Sequence, residues 1–173
     1  MIQRLPPVLS SADLPMAELL AARLDGELFR VDAGFAAVDE IEQPHHRAAA
    51  LHAGLSDRLI AEQLSAAWIW GALDTPPASH TLCAAIGARV GHAHPPWMSV
   101  REVVIDAAEI VSIDGYLVTS PLRTALDLAR FSERFDPDIV RRLDVDPLEC
   151  SAEIERRKNL PGKLRALERL ALV

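Results

Sequence analysis

Apolar positions change their spacing several times along the chain, and each change marks an element. Leu19, Leu20, Ala22 and Leu24 give a short helix its apolar side. Ser10 or Ser11 can cap a preceding turn, Pro15 suits a first helical position, and Gly26 after Asp25 ends the run. ELFRVD then alternates polar with apolar residues, Asp32-Ala33-Gly34 offers a turn, and FAAVD returns as a second strand. Two short helices followed by a hairpin are therefore predicted. That is the order of a small winged helix-turn-helix, and of other small subdomains too.

From Pro44 the pattern lengthens. HHRAAALHAG predicts a helix ending at Gly54, RLIAE a strand, and QLSAAWIWGAL a helix with Leu64, Ala67, Trp68 and Gly71 on one side. HTLCAAI (80–86) and Val100–Ile105 predict strands, and EIVSIDGYLVTS two more around Asp114-Gly115. The best-formed helix start is TSPLRTALDLARF. Ser120 can accept from the first amides, Pro121 takes a position where no amide bond is lost, and Leu122, Ala125, Leu126 and Ala129 form the stripe. Pro137, Pro147 and Pro161 divide the remainder into short helical pieces. The expected fold is α/β (α+β): a degenerate N-terminal winged helix-turn-helix over 1–43, then an α/β domain over 44–173. In that domain a central mixed sheet carries packed helices, with a helical C-terminal tail over 132–173.

Composition narrows the class. Of 173 residues, half are apolar and a quarter charged, enough for a packed core. No apolar run reaches the length of a membrane span, and the N-terminus does not read as a secretory signal. A cytoplasmic location without membrane contact is expected. Cys83 and Cys150 form no paired motif, and Cys83 reads as a reduced core thiol.

The net charge of −7 is unevenly spread. Residues 1–43 hold three Arg against eight Asp and Glu, whereas residues 155–173 hold six Lys and Arg against two Glu. Overall acidity argues against indiscriminate nucleic-acid binding, yet leaves room for a local basic face. The candidate phosphate contacts are Arg23 and Arg30 in the first segment, with Arg4 before them. Arg156, Arg157, Lys158, Lys163, Arg165 and Arg169 are the candidates in the tail. The alternative for the tail is an amphipathic helix packing Leu164, Leu167 and Leu170 onto the core.

The familiar catalytic and nucleotide-binding motifs are missing, so no catalytic residue and no cofactor are assigned. His45, His46 and His52 could converge on one helix, and His92 and His94 on an extended segment. A metal site needs more donors in fixed geometry, and none is assigned. Asp106, Glu109 and Asp114 near strand ends invite a metal-dependent nuclease reading, with solvated carboxylates as the alternative. Arg123, Asp127 and Arg130 share the polar side of their helix, as a recognition patch or as an ordinary ion-pair ladder of about 0.3–0.5 kcal/mol per pair. Trp68 and Trp70, two apart on a helix, cannot be buried alike.

LSAAWIWGA (64–72), HTLCAAI, VREVVI (100–105) and above all IDGYLVTSPLRTALDLAR (113–130) resemble the AbiEi-type antitoxin and regulator family in phrase, order and spacing. GELFRVDAGFAAVD (26–39) resembles that family's wing, with its Gly34-Phe35 step. The resemblance spans about residues 10–131 and is to a short form lacking a C-terminal nuclease-like domain. It implies a non-catalytic antitoxin of a type IV toxin–antitoxin system that represses its own operon by binding operator DNA. The toxin it implies is nucleotidyltransferase-like, a functional partner that need not form a tight complex. Ser65, Arg123, Thr124 and Asp127 match the family's recurrent polar positions, while Glu62-Gln63 stands where a Ser-His-like pair is expected. An interaction or dimerisation module that has lost DNA binding is the alternative function.

Overall fold

The computed structural model describes residues 6–88, 91 and 94–173, so Arg4 and His92 lie outside the described residues. The chain divides into two compact units, one of residues 1–57 with 113–116, the other of 58–112 with 117–173.

In the first unit a two-stranded antiparallel hairpin, β1 (Leu28–Val31) and β2 (Gly34–Ala37), packs with α1 (Met16–Leu24) and α2 (Pro44–His52). Asp32 makes the turn at a φ of 51°, a conformation its short polar side chain tolerates. Leu9 is bridged to Phe35, which brings Val8 so close to Gly34 that a Cβ there would stand 2.3 Å from a Val8 methyl. Only glycine lets that strap lie on the hairpin. Val8, Leu19, Val31, Phe35 and the Ala48–Leu51 run are buried.

Two expectations fail here. Residues 10–14 form a hydrogen-bonded turn closed by the Asp13 carboxylate on the Ser10 N–H and hydroxyl, so one regular helix precedes the hairpin and not two. No winged helix is identified among the described residues. And of the apolar side predicted for α1, Leu19 alone is buried, while Leu20 and Leu24 face solvent.

The second unit is built on a five-stranded mixed sheet in the order β5-β4-β3-β7-β6. Its strands are β3 (Ile60–Ala61), β4 (His80–Ala85), β5 (Met98–Val103), β6 (Ile110–Ile113) and β7 (Tyr116–Thr119). β3 runs antiparallel to β4 and parallel to β7, and β4 parallel to β5. Asp114 and Gly115, both at positive φ, join β6 to β7 as the two-residue turn the sequence predicted. α3 (Gln63–Ile69) packs on β4 and on α4 (Pro121–Phe131), which in turn packs on α6 (Pro147–Arg156) and α7 (Lys163–Leu170).

Ser120 Oγ accepts the Arg123 N–H at the head of α4, as predicted. Pro137 opens α5 (Pro137–Arg142) and Pro147 opens α6, so the prolines divide the tail where the sequence placed them. Ala67, Leu126, Ala129, Val140, Ile154, Ala166 and Leu170 form the helical core. Leu170 and Leu167 pack there, but Leu164 is 78% exposed and does not join them. At 100° per residue, Leu164 lies about 200° around the helix from the buried Ala166.

Candidate functional site

α4 is buried nearly all round, its polar side included. Arg123, Thr124, Asp127 and Arg130 are each under one-tenth exposed, which is not the solvated ladder that spacing alone suggests. Asp127 is wholly enclosed. Its Oδ2 accepts from Arg123 Nε at 2.9 Å and from Arg101 on β5 at 3.3 Å, and its Oδ1 accepts from Arg130 at 2.9 Å. Arg101 also grips Glu62, the buried residue after β3, with two hydrogen bonds of 2.6 Å. Arg101 and Arg130 both lie over the Phe131 ring, at 4.4 and 4.3 Å.

The network continues outward. Arg123 donates to Glu109 at 2.8 Å; Glu109 also accepts from Arg157 of the tail, which holds Glu153 at 2.8 Å. Four arginines thus meet four carboxylates, Glu62, Glu109, Asp127 and Glu153. Burial works against the Glu109 charge, but the Asp106 N–H, the Arg157 hydrogen bond and the nearby guanidinium charges outweigh it and hold that carboxyl below its ordinary range. The Cys83 thiol, wholly buried, is driven upward by burial first and by the Glu62 charge second. It is an inert, reduced core thiol, as the sequence suggested.

Asp106 closes the 107–109 turn by a reciprocal cap with Glu109, and Asp114 sits in the hairpin turn. The predicted acidic triplet is therefore not one site. Arg101 escaped sequence reasoning, Arg157 was read as a phosphate contact and Glu62 only as a departure from the family's pattern, because an edge strand, the end of a tail helix and a strand end meet only in three dimensions.

Ser65 and Thr124 are held as tightly. Ser65 Oγ accepts the Thr81 N–H at 2.9 Å and lies 3.0 Å from His80 Nδ1. A serine–histidine pair suggests a nucleophile and its base, but Ser65 is fully buried and His80 is walled by Trp68 and Trp97. An acyl group must reach the hydroxyl oxygen to react, and no room is left for one. Thr124 hydroxyl meets that of Thr119 at 2.7 Å. Trp68 is buried, whereas half-buried Trp70 donates its indole N–H to Thr119 O at 2.9 Å, so the two differ as their spacing required.

In the first unit, Glu40, His45 and His46 bring possible ligand atoms within 4.8 Å of one another. His52 does not join them; it stacks on Tyr116. His46 Nδ1 accepts the Gln43 N–H at 3.0 Å, so its proton sits on Nε2, which faces Glu40 Oε2 at 2.6 Å. A metal-ligating imidazole uses one nitrogen lone pair and donates from the other nitrogen. The Gln43 cap imposes the reverse arrangement, and the group fits a hydrogen-bonded pair, not a metal.

The cations proposed for phosphate divide by environment. Arg23 and Arg30 are exposed, Arg30 donating to Asp32 O. In the tail, Arg157 belongs to the network. Lys163 donates to Glu155 O and Arg157 O, while Arg169 donates to Ala129 O and Ser132 O. Arg156, Lys158 and Arg165 face solvent, Arg156 beside Glu153. No helix among the described residues is long and apolar enough to cross a membrane.

The family model described as the AbiEi antitoxin C-terminal domain matches residues 60–159, the span that carries the whole arginine–carboxylate network. No curated protein matches the chain. Among solved structures, the RV2827C protein from Mycobacterium tuberculosis is similar at 19% identity and a TM-score of 0.49, over 95% of this chain and 72% of that one.

Proposed function

The chain belongs to the AbiEi antitoxin family, and from that premise we propose that it is a non-catalytic, antitoxin-like transcriptional regulator that binds operator DNA. The family implies a toxin as its counterpart; in this reading the toxin is nucleotidyltransferase-like and need not form a tight complex with it. The observation that carries the reading is the commitment of the carboxylates in the matched span. Glu62, Glu109, Asp127 and Glu153 are each held by arginine. Metal-dependent phosphodiester cleavage needs convergent carboxylates with free lone pairs, and these have given theirs to guanidinium groups.

In its tail, beside the exposed Glu155 and Glu168, the second unit offers Arg156, Lys158 and Arg165 to solvent. Such side chains position a protein on the phosphate backbone without reading sequence. The 28–37 hairpin would take the wing's place in the reader module over residues 1–43, with Arg23 and Arg30 as its contacts. The acidity of that segment supports a second reading, in which the chain has lost DNA affinity and acts through protein contacts.

Fluorescence anisotropy against the chain's own upstream promoter duplex separates the two. A scrambled duplex and a salt series run beside it. Saturable, sequence-preferring binding with a negative log–log salt slope is expected. Absence of binding at low salt would leave the protein-contact reading. Divalent-metal-dependent cleavage of a nucleic acid, lost in Asp106→Asn or Asp114→Asn, would restore an enzyme.

A further inference from the structure

The outer end of the arginine–carboxylate network borders a cavity of about 190 Å³, walled by the 107–109 turn, the head of α4 and the end of α6. Its acceptors are already engaged. Glu109 takes hydrogen bonds from Arg123, Arg157 and the Asp106 N–H, and Glu153 from Arg156 on one oxygen and Arg157 on the other. The Asp106 carboxylate caps the 107–109 turn.

Its donors are not. Arg123 commits Nε to Asp127 and Nη1 to Glu109, while its Nη2 has no hydrogen-bond partner among the described residues. Arg157 uses Nε and Nη2 and leaves Nη1; Arg156 uses only Nη2. Ser120 Oγ accepts the Arg123 N–H and keeps its own proton to give. Leu122 adds a first-turn N–H of an eleven-residue helix, with no helical carbonyl to receive it. Arg123 is 4% exposed, so the fold fixes where its guanidinium stands, and an unmet N–H there is costly unless something accepts from it.

The charges lining the cavity balance, three arginines against three carboxylates, so the preference it carries lies in the direction of its hydrogen bonds. The positive end of the α4 dipole stands at one wall. The negative end of α6 is blunted by Lys163, whose ammonium donates to Glu155 O and Arg157 O. A cation would find the carboxylate lone pairs taken. A group that accepts from several donors, gives none back and fits this space is a tetrahedral oxyanion, which guanidinium groups meet with paired hydrogen bonds.

We propose that this cavity binds a phosphate group, free or carried on a nucleic acid. Arg123 and Arg157 are its held donors, Arg156 an exposed one, and Ser120 and the Leu122 N–H complete it at the helix head. The site does not rest on the operator reading, since a free phosphate fills it equally.

Inorganic phosphate titrated into the full chain, with chloride balancing the ionic strength, should give a saturable isotherm by calorimetry and raise the thermal unfolding midpoint. Arg157→Gln should weaken the isotherm at least about tenfold, the loss of one charge-assisted hydrogen bond. That variant also releases Glu109, so a second set is placed where folding is not at stake, at Ala108, which is exposed and lines the cavity. Ala108→Glu should weaken phosphate binding at least about tenfold by like-charge repulsion, whereas Ala108→Gln, of the same shape, should keep most of it. Competition between phosphate and the promoter duplex would identify a backbone phosphate as the occupant, and independent binding the free ion. Phosphate binding without any duplex binding would sink the operator reading and leave the site standing. No saturable response up to tens of millimolar phosphate, or equal affinity in Ala108→Glu and Ala108→Gln, overturns the proposal.

Discussion

Asp127 has no exposed surface and three arginines around it. Replacing it by Asn keeps the shape and removes the charge on which those arginines converge. Breaking a buried ion pair from one side costs about 3–5 kcal/mol, because the remaining charge stays desolvated. Asp127→Asn is therefore expected to lower the unfolding free energy by that amount, read from denaturant midpoints by circular dichroism. Arg123 and Asp127 are four apart and were visible as a pair in the sequence; that Arg101 and Glu62 complete the group was not. Glu109 adds a pH dependence. Its folded-state affinity for a proton is lowered, so its contribution to stability is complete above the unfolded carboxylate value near about 4.3. That contribution disappears as pH falls through the lower folded value. Unfolding midpoints measured from pH 6 to pH 2.5 should drop below about pH 4, and more shallowly in Glu109→Gln. An unchanged slope in that variant would remove Glu109 from the acid response.

Among the elements, α4 was the most legible, and its head follows from local chemistry alone. Ser120 satisfies an amide that the helix cannot, and Pro121 fits where no donor is needed. Ser120→Ala should cost about 1 kcal/mol and Ser120→Gly only a few tenths. Equal losses in thermal melts would mean that the hydroxyl is not acting as a cap. The hairpin at Asp114-Gly115 and the proline-opened tail helices were legible for the same reason, since each is set by residues within a few positions. α1 and α7 show where pattern reading ends. Leucines at helical spacing were read as the apolar side of α1 and, in one of two alternatives, as the packed side of α7, and the structure leaves Leu20, Leu24 and Leu164 in solvent. Periodicity identifies a helix, but the direction of its apolar face depends on what packs against it.

For the whole molecule, the proposed regulator depends on charge that is unevenly divided along the chain. Reversing Arg156, Lys158 and Arg165 to Glu should weaken promoter binding across sequences alike and reduce the salt slope by about 0.9 for each lost phosphate contact. A variant that changes sequence preference but not slope would place those side chains on bases. Length, composition, the succession of strands and helices, and the local caps were all determined by the sequence itself, because each rests on neighbours along the chain. The AbiEi resemblance was legible in the same way, as phrases in a fixed order. Only the tertiary structure decided which charges are exposed and which are enclosed. Arg123 and Arg130 look no different from Arg156 or Arg165 in one dimension. Burial separates them: a guanidinium enclosed with Asp127 must be neutralised where it lies, whereas one in water stays available to a phosphate.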